Sequence, residues 1–326
     1  MPTERCLGCY QALRTDEVLY HPACSRKLFG TPVPPQLPFS EQDILQLAEQ
    51  SVLKSATVAG AQSKLSLGLV RGNSEHAPDR FTIMGVWGSH ILKPASAQYP
   101  FMVELEDLTM HMADMAGIRT VPHGLIRMQD GAYAYVTRRV DRVGKPGGKR
   151  VRKLHMEDMC QLTERMTEHK YRGSHEQISK ALQRFATNPQ LDVTAFYEMV
   201  LFSFLTGNAD MHLKNFSLLK DVQGHNNLSP AYDLVPSTLL INETEELALT
   251  LNGRKNKLTR ADFETAMRAA GLNERAILNL FNRMKKALPK WMEFIGLGFV
   301  PEELKERYRS LINERARRMD LSGSGG

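Results

Sequence analysis

Hydrophobic residues change their spacing along the chain, and the change divides it in two. In the first half, short apolar runs alternate with segments rich in Pro and Gly, which is typical of strands joined by turns. The strands are predicted at residues 64–70, 81–83, 90–92 and 132–136. One helix is predicted among them over residues 103–115, where Leu105, Leu108 and Met112 follow helical spacing. Ser40 is predicted to cap a short helix that precedes the first strand.

The second half has the period of helices, because apolar residues recur there every three or four positions. The predicted helices are residues 156–168, 177–185, 193–205, 260–270, 274–294 and 301–318. Short strand-like runs interrupt them at residues 216–219 and 247–251. The chain is therefore predicted to belong to the α+β class, with a small sheet-containing N-lobe followed by a larger, mainly helical C-lobe.

Composition and charge narrow the functional classes. The 326 residues are 42% hydrophobic and 24% charged, close to an average globular chain, which excludes disordered and fibrous classes. No apolar run approaches the ~18 residues of a membrane span, and the first residues lack the apolar core of a signal peptide. We therefore expect a cytoplasmic protein that does not enter a membrane. The net charge of +6 allows an acidic partner such as ATP or RNA without requiring one.

The changeover between the two halves is a basic segment. In residues 138–153, Lys and Arg recur around Gly144, Gly147 and Gly148. Such a segment is either a solvated loop, which is the commoner outcome, or a docking surface for an acidic substrate.

A dense polar segment follows the helix predicted at 193–205. Residues 206–217 have the sequence TGNADMHLKNFS, in which Asp210 and Asn215 show the Asp-x-x-x-x-Asn spacing of a protein-kinase catalytic loop. That spacing lets the Asp accept a proton from the incoming hydroxyl while the Asn binds the magnesium ion that bridges the phosphates. Asp233 follows after a hairpin-like return and would supply a second oxygen ligand for magnesium.

Three further features stand in the order found in kinases. Lys93 ends an apolar strand, Glu106 on the next helix is placed to pair with it, and residues 57–64 (TVAGAQSK) form a small-residue loop suited to a phosphate. Each feature alone is common by chance, since Asp caps turns, Lys ends strands and a loop with one Gly is not a Walker loop. Their joint occurrence in this order favours a nucleotide-dependent phosphotransferase.

These segments resemble the HipA family of bacterial toxin kinases. The resemblance runs from about Thr57 to the C-terminal helices, and the segments that carry it are TVAGAQSK at 57–64, HILKP at 90–94, NADMHLKNFS at 208–217 and AYDL at 231–234. It implies a bilobal Ser/Thr protein kinase that uses ATP and Mg²⁺. It also implies Asp210 as the catalytic base, with Asn215 and Asp233 as the metal ligands.

The resemblance implies a set of ATP-binding residues as well. The hinge that holds adenine would be RRVDR at 138–142, where the family usually has ERFDR. Thr57 matches the family's autophosphorylated residue. The residues implied in ATP binding are Ala59, Gly60, Ala61, Gln62, Ser63, Lys64, Lys93, Arg138, Arg139, Val140, His212, Lys214, Asn215 and Asp233.

Length suggests a subtype. HipA proper carries an extra subdomain ahead of the phosphate loop, whereas 56 residues precede Thr57 here, so the chain looks most like the short HipT kinase of three-part HipB–HipS–HipT toxin–antitoxin systems. The expected segments are an N-terminal part with a Pro-rich connector (1–56), the N-lobe (57–137) and the hinge with its basic loop (138–153). The helical C-lobe (154–320) and a flexible tail (321–326) follow.

The resemblance also implies partners. These are small HipS-like and HipB-like antitoxin proteins and a protein substrate such as an aminoacyl-tRNA synthetase, with no membrane and no direct DNA contact. Two alternatives stay open at this point: a lipid or small-molecule kinase, and a zinc-containing binding module without catalysis.

Four residues near the N-terminus suggest a metal. Cys6-x-x-Cys9 and His21-x-x-Cys24 have the spacing of a zinc knuckle with four N and S ligands. The alternative is that small thiols and the His-Pro pair pack against Phe29, as buried Cys often do. The spacing leaves both interpretations open.

Overall fold

The structure, a computed structural model, describes residues 4–44, 46, 64–72, 79–84, 88–144, 151–241 and 244–321. The chain divides into two compact units. The first contains Met1–Asp107 and Val121–Lys153, and the second contains Leu108–Thr120 and Leu154–Gly326. A sheet dominates the first unit and helices dominate the second, which confirms the predicted α+β class.

A five-stranded antiparallel sheet forms the centre of the first unit. Its order is β2-β1-β3-β5-β4, and the strands are β1 (Leu65–Val70), β2 (Arg80–Ile83), β3 (His90–Lys93), β4 (His123–Arg127) and β5 (Tyr133–Arg138). The four strands predicted in this half are confirmed, whereas β4 is absent from the prediction. Leu67 and Leu92 are fully buried, so the sheet carries a core of its own.

The basic segment contains two short strands. Strands β6 (Arg142–Val143) and β7 (Arg152–Lys153) pair as a two-stranded antiparallel ladder. The interpretation of the whole segment 138–153 as a loop is therefore wrong at both of these ends. Residues 145–150 lie outside the described residues.

The N-terminal part packs onto this sheet. A helix that the sequence analysis did not predict, α1 (Pro22–Phe29), buries Phe29. Leu125 of β4 donates its N–H to the carbonyl of Leu7 at 3.1 Å and accepts a hydrogen bond from Tyr20 Oη at 2.6 Å. The Phe29 ring packs against the rings of Tyr20, Phe81 and His90, with centroid distances of 5.3, 5.8 and 6.0 Å, respectively.

The connector and the short helix behind it follow the prediction. Residues 31–38 contain no helix, and Gln36 bridges to Arg80 of β2. Residues 41–44 and 46 are helical. Ser40 caps them, because its Oγ accepts the N–H of Asp43 at 3.2 Å while the Asp43 carboxylate accepts the N–H of Ser40 at 2.8 Å.

The predicted helix at 103–115 is present as α2 (Met102–Met115), and the division between the units falls within it. The second unit adds a three-stranded antiparallel sheet of order β10-β9-β8, formed by β8 (Met156–Asp158), β9 (Ser217–Lys220) and β10 (Asn226–Leu228). Its other helices are α3 (Met159–Leu162), α4 (His175–Phe185), α5 (Pro189–Thr206), α6 (Ser237–Leu240), α7 (Arg260–Ala269), α8 (Glu274–Gly296) and α9 (Glu302–Arg318).

α5 is the central helix of the second unit. Its residues are apolar around much of the circumference and most are buried. Phe202 meets the ring of Trp291 edge-on at 5.3 Å, and Trp291 Nε1 donates to the carbonyl of Met112 at 2.8 Å. α5 is thus held by a core on several sides. Among the residues that the structure describes, no helix is long and apolar enough to cross a membrane.

Two predicted elements of the second unit are wrong. Residues 156–168 are not one helix: β8 pairs with β9, and Asp158 then caps the single turn of α3 by accepting the N–H of Gln161 at 3.0 Å. Residues 247–251 form no strand but make isolated bridges at Thr250 and Leu251. Met159, Leu247 and Leu249 are buried in these segments, but the local spacing did not reveal the pairing partners of their strands and bridges.

Candidate active site

The candidate site starts where α5 ends. Gly207 has a φ of 77°, in the left-handed region that favours glycine, and donates its N–H to the carbonyl of Phe204 at 3.2 Å. A Cβ on Gly207 would lie 2.4 Å from Thr238 Oγ1 and 2.5 Å from the Leu311 side chain. Both the backbone conformation and the space therefore require glycine, and the polar residues 208–217 follow this sharp end directly.

The last helix supports the same end of α5. Buried Arg315 of α9 donates to the carbonyl of Phe204, and its guanidinium lies 5.0 Å from the centre of the Phe204 ring. A positive charge at the carboxyl end of a helix is favourable because the unsatisfied carbonyls there carry partial negative charge. Arg315 therefore helps to fix the point from which the candidate catalytic segment, residues 206–234, leaves α5.

Asp210 is half-buried and held by two neighbours. Its Oδ1 accepts a hydrogen bond from Tyr171 Oη at 2.6 Å, and its N–H donates to Asn208 Oδ1 at 3.2 Å. Tyr171 is 45% exposed. Tyr171 is not among the predicted site residues. It lies outside every kinase-like segment, and a lone aromatic hydroxyl before Gly173 is too weak a signal to single it out.

The two predicted metal ligands lie side by side. Asn215 Nδ2 donates to Asp233 Oδ2 at 3.2 Å, and Asn215 Oδ1 accepts the N–H of His212 at 3.2 Å. Asn208 Nδ2 donates to the carbonyl of Asp233 at 3.4 Å. Asp233 has a φ of 57°, a left-handed conformation that is uncommon without glycine and is concentrated at functional sites.

The side-chain oxygens of Asn215 and Asp233 fit a magnesium ion. A carboxylate and an amide oxygen are hard ligands of the kind that Mg²⁺ prefers, and the ion completes its shell with waters and phosphates. In this structure Asn215 presents its NH₂ group to Asp233. Holding an ion between them requires the amide to turn its oxygen to the same side.

His212 lies buried in the same loop. Burial lowers the pKa of its imidazole to about 4, although the carboxylate of Asp210 acts in the opposite direction. Its ring meets that of Tyr171 edge-on with centroids 5.0 Å apart. The imidazole is therefore neutral at pH 7, so it can exchange a hydrogen bond with a phosphate but adds no positive charge.

Lys214 is engaged elsewhere in the second unit. Its Nζ lies 2.6 Å from Oδ2 of Asp158, the residue that caps α3. The lysine that the resemblance places near the phosphates thus anchors the catalytic segment to the end of β8. Its side chain is about one-third exposed, and the ion pair is correspondingly weakened by solvent.

The first unit contains the predicted Lys–Glu pair. Lys93 Nζ lies 2.7 Å from Glu106 Oε1, and both side chains are buried. Lys93 stands opposite Tyr135 in the sheet, with Nζ 5.5 Å from the centre of that ring. Charges in such surroundings interact strongly, and the loss of either partner is costly.

The predicted hinge residues run from the end of β5 to the start of β6 in the first unit. Arg139 donates to Asp141 through Nε at 2.9 Å and Nη2 at 2.8 Å, and Arg142 also donates to this carboxylate. Burial acts to raise the pKa of Asp141, but the two arginines outweigh it and hold the pKa below its usual value. The Arg139 side chain therefore orders the hinge itself, next to Arg138 and Val140.

The remaining predicted residues belong to the phosphate loop. Lys64 is exposed and directly precedes β1. The structure thus brings together Asp210, His212, Asn215 and Asp233 in the second unit, and it places Lys93 and the hinge in the first. The predicted residues that lie outside the described residues are Thr57, Ala59, Gly60, Ala61, Gln62 and Ser63.

Comparison with known families gives a match over most of the chain. Residues 56–292 match the family model of the HipA-like C-terminal domain. The chain belongs to this family.

Individual relatives are distant and longer. The candidate kinase Y4mE of Sinorhizobium fredii is 29% identical over 287 residues, which are 85% of this chain and 66% of Y4mE. The Ser/Thr-protein kinase toxin HipA of Shewanella oneidensis is 26% identical over 262 residues, 75% of this chain and 58% of that protein. The chain thus spans less than two thirds of the length of these curated relatives.

Two solved structures share the fold. The structure of Shewanella oneidensis HipA with HipB and operator DNA matches with a TM-score of 0.69 at 22% identity, covering 87% of this chain and 72% of that chain. The Helicobacter pylori proinflammatory kinase CtkA matches with a TM-score of 0.53 at 16% identity, covering 71% of this chain and 88% of that chain.

Proposed function

We propose that the protein is a Ser/Thr protein kinase that uses ATP and Mg²⁺ and acts as the toxin of a toxin–antitoxin system. The observation that carries this proposal is the grouping of Asp210 with the Asn215–Asp233 pair at the end of α5. One carboxylate accepts a proton, and a separate pair of oxygen ligands holds the ion that neutralises the phosphates. Phosphoryl transfer requires these two roles to be separate.

Each residue of the grouping has a role. The hydrogen bond from Tyr171 fixes the orientation of the Asp210 carboxylate, so that its other oxygen accepts the proton of the substrate hydroxyl. Asn215 and Asp233 hold Mg²⁺, which supplies charge neutralisation for the transferred phosphoryl group. Neutral His212 donates a hydrogen bond to a phosphate oxygen.

The first unit supplies nucleotide binding in this proposal. Lys93, aligned by Glu106, binds the ATP phosphates. The hinge at 138–142 binds adenine, and residues 59–64 cover the phosphates. Phosphorylation of Thr57 adds about −1.5 to −2 charges at neutral pH, which would compete with the ATP phosphates and lower ATP affinity.

The partners are inferred from the relatives. Because Shewanella oneidensis HipA is found with HipB and operator DNA, we infer a HipB-like antitoxin that makes the DNA contact. The resemblance to the short HipT kinases adds a HipS-like protein as a second antitoxin. The proposed substrate is a cytoplasmic translation component such as an aminoacyl-tRNA synthetase.

The test compares Asp210→Asn with a matched carboxylate variant. The full chain is incubated with labelled ATP, Mg²⁺ and host lysate, and phosphorylated products are identified by mass spectrometry. Asp210→Asn should lose about 10²–10⁴-fold in rate with an unchanged melting temperature. The control is Asp320→Asn, which makes the same chemical change at an exposed position outside the grouping.

Two outcomes would contradict the proposal. One is a near-normal phosphorylation rate for Asp210→Asn, because this variant lacks the proposed catalytic base. The other is transfer of label to a lipid or a small molecule instead of protein Ser or Thr.

A further inference from the structure

Four candidate metal ligands converge in the first unit. The Cys/His cluster consists of Cys6, Cys9, His21 and Cys24, and its four ligand atoms all lie within 4.8 Å of one another. Cys6 is buried and the other three are half-buried. The three cysteines are thiols and not disulfides. None of them has a role in the proposed phosphoryl transfer.

The distances match those within a tetrahedral zinc site. Zinc–sulfur bonds of about 2.3 Å and zinc–nitrogen bonds of about 2.0 Å place neighbouring ligand atoms about 3.5–3.8 Å apart. His21 Nδ1 lies 3.3 Å from Cys9 Sγ and 3.9 Å from Cys24 Sγ. One ion at the centre therefore fits with small adjustments of side chains.

His21 is already oriented as a ligand. Its Nε2 lies 3.0 Å from the carbonyl of Ala12, which can only accept, so Nε2 carries the proton. The lone pair is then on Nδ1, the nitrogen that faces the thiols. A metal-bound histidine typically has its other nitrogen bonded to a carbonyl or a carboxylate in this way.

The sulfur of Cys6 accepts two backbone hydrogen bonds. The N–H groups of Gly8 and His21 point at Cys6 Sγ from 3.4 and 3.3 Å. Such donors stabilise a thiolate, which is the form of cysteine that binds metals. An apolar thiol packed in a core does not need them.

Local backbone structure explains how the four residues meet. Cys6 and Cys9 face each other across a tight turn, in which the carbonyl of Cys6 accepts the N–H of Tyr10 at 2.8 Å. His21 is the N-cap of α1, and Cys24 is in the first turn of that helix. A turn and a helix start thus present two ligands each to one point.

We propose that the Cys/His cluster is a structural zinc site. Three thiolates and one imidazole in a tetrahedral set favour Zn²⁺ over the oxygen-seeking Mg²⁺ and Ca²⁺. Four protein ligands close the shell and leave no position for a reacting water, so the ion has a structural role. The ion orders the chain between Cys6 and Cys24. This stretch carries Leu7 and Tyr20 to β4 and Tyr10 to Asp107, which its hydroxyl meets at 2.9 Å.

The first test measures metal content. The full chain is purified without a metal-binding tag and without chelators, and its metals are measured by mass spectrometry. We expect about one zinc ion per chain. Cys6→Ser and Cys24→Ser should lose most of it, whereas Cys160→Ser, a buried thiol of the second unit, should keep it.

The second test does not depend on variants. Replacing zinc by Co²⁺ in the wild-type chain should give the intense visible absorption of a tetrahedral thiolate site, and it remains informative if a Cys→Ser chain does not fold. Iron in place of zinc, a Cys6–Cys9 disulfide or a metal-poor folded chain would each overturn the proposal. Because neither readout uses kinase activity, failure here is distinguishable from failure of the proposed function.

Discussion

The N-terminal stretch that carries the Cys/His cluster and the catalytic segment are both short parts of the chain with little regular secondary structure, but different contacts hold them in place. The catalytic segment, residues 206–234, follows a helix buried on several sides and is fixed by hydrogen bonds and by Arg315. The N-terminal stretch, residues 4–30, has one eight-residue helix, and its four ligands converge on one point. We therefore expect changes in the catalytic segment to remove chemistry and leave the fold intact, and changes in the cluster to loosen the fold around it.

Asp233→Asn tests the proposed metal pair of the catalytic segment. Asn tolerates the left-handed backbone of this position, so the fold should be kept while the negative charge is lost. We expect the phosphorylation rate to fall by about 10²–10³-fold with a nearly unchanged melting temperature. Rate measurements across a Mg²⁺ titration and thermal unfolding check this. A large loss of stability would show that the catalytic segment also depends on its charged residues for folding.

Lys93→Met tests a residue that should both bind ATP and stabilise the fold. Removing the lysine leaves the buried Glu106 carboxylate without its ion pair, at a cost of about 3–5 kcal/mol of stability. The double variant Lys93→Met/Glu106→Gln should regain much of that stability in chemical denaturation. Its ATP binding should stay lost. Recovery of ATP binding in the double variant would exclude Lys93 as a phosphate ligand.

Removal of the proposed zinc ion should loosen the N-terminal stretch and leave the catalytic segment unchanged. The sharpest reporter is the N–H of Leu125, which bonds the carbonyl of Leu7, and the matched control is the N–H of Leu213, which bonds the carbonyl of Lys170 at 3.1 Å. A chelator should speed hydrogen exchange at Leu125 by about tenfold or more, equivalent to about 1.4 kcal/mol of local stability. Equal acceleration at both amides would mean that the ion supports the whole chain.

Acid should weaken the core next to the catalytic segment. His175 is fully buried between Phe196 and Phe216, and within the described ranges neither of its ring nitrogens has a hydrogen-bond partner. Burial lowers its pKa from 6.5 to about 3. The unfolded chain therefore binds the proton first, and stability should fall as pH drops from about 6.5 towards 3, by at most about 1.4 kcal/mol per pH unit.

His175→Phe should reduce that slope in denaturant titrations between pH 7 and 5. The slope should not vanish, because burial also lowers the pKa of His90 to about 4. An unchanged slope would mean that other groups control the acid sensitivity.

Local patterns predicted the fold where its contacts are local. The helices α7 and α8 follow from periodicity alone, since their buried residues recur within each helix. The helix predicted over residues 156–168 is wrong because Met156 and Asp158 pair with Leu219 and Ser217, which lie far along the chain. The missing strand β4 has the same cause, since its pairing with β5 is what defines it.

The site divides in the same way. Asp210, Asn215 and Asp233 could be proposed from the sequence because phosphoryl transfer fixes residue types at set spacings, and their assigned roles stay predictions. Tyr171 could not, because its contact with Asp210 depends on how a separate loop folds back. The ion pair of Lys214 with Asp158 was also hidden, and for the same reason.

The bond from Arg315 to the end of α5 has a consequence for synthesis. A ribosome synthesises the chain from its N-terminus, so Asp210 is made about a hundred residues before Arg315, which supports its segment. During translation the catalytic loop would therefore lack this support until α9 has been made. In the toxin kinase proposed above, the loop that carries Asp210 would thus reach its final position only after α9 has been made and has packed against α5.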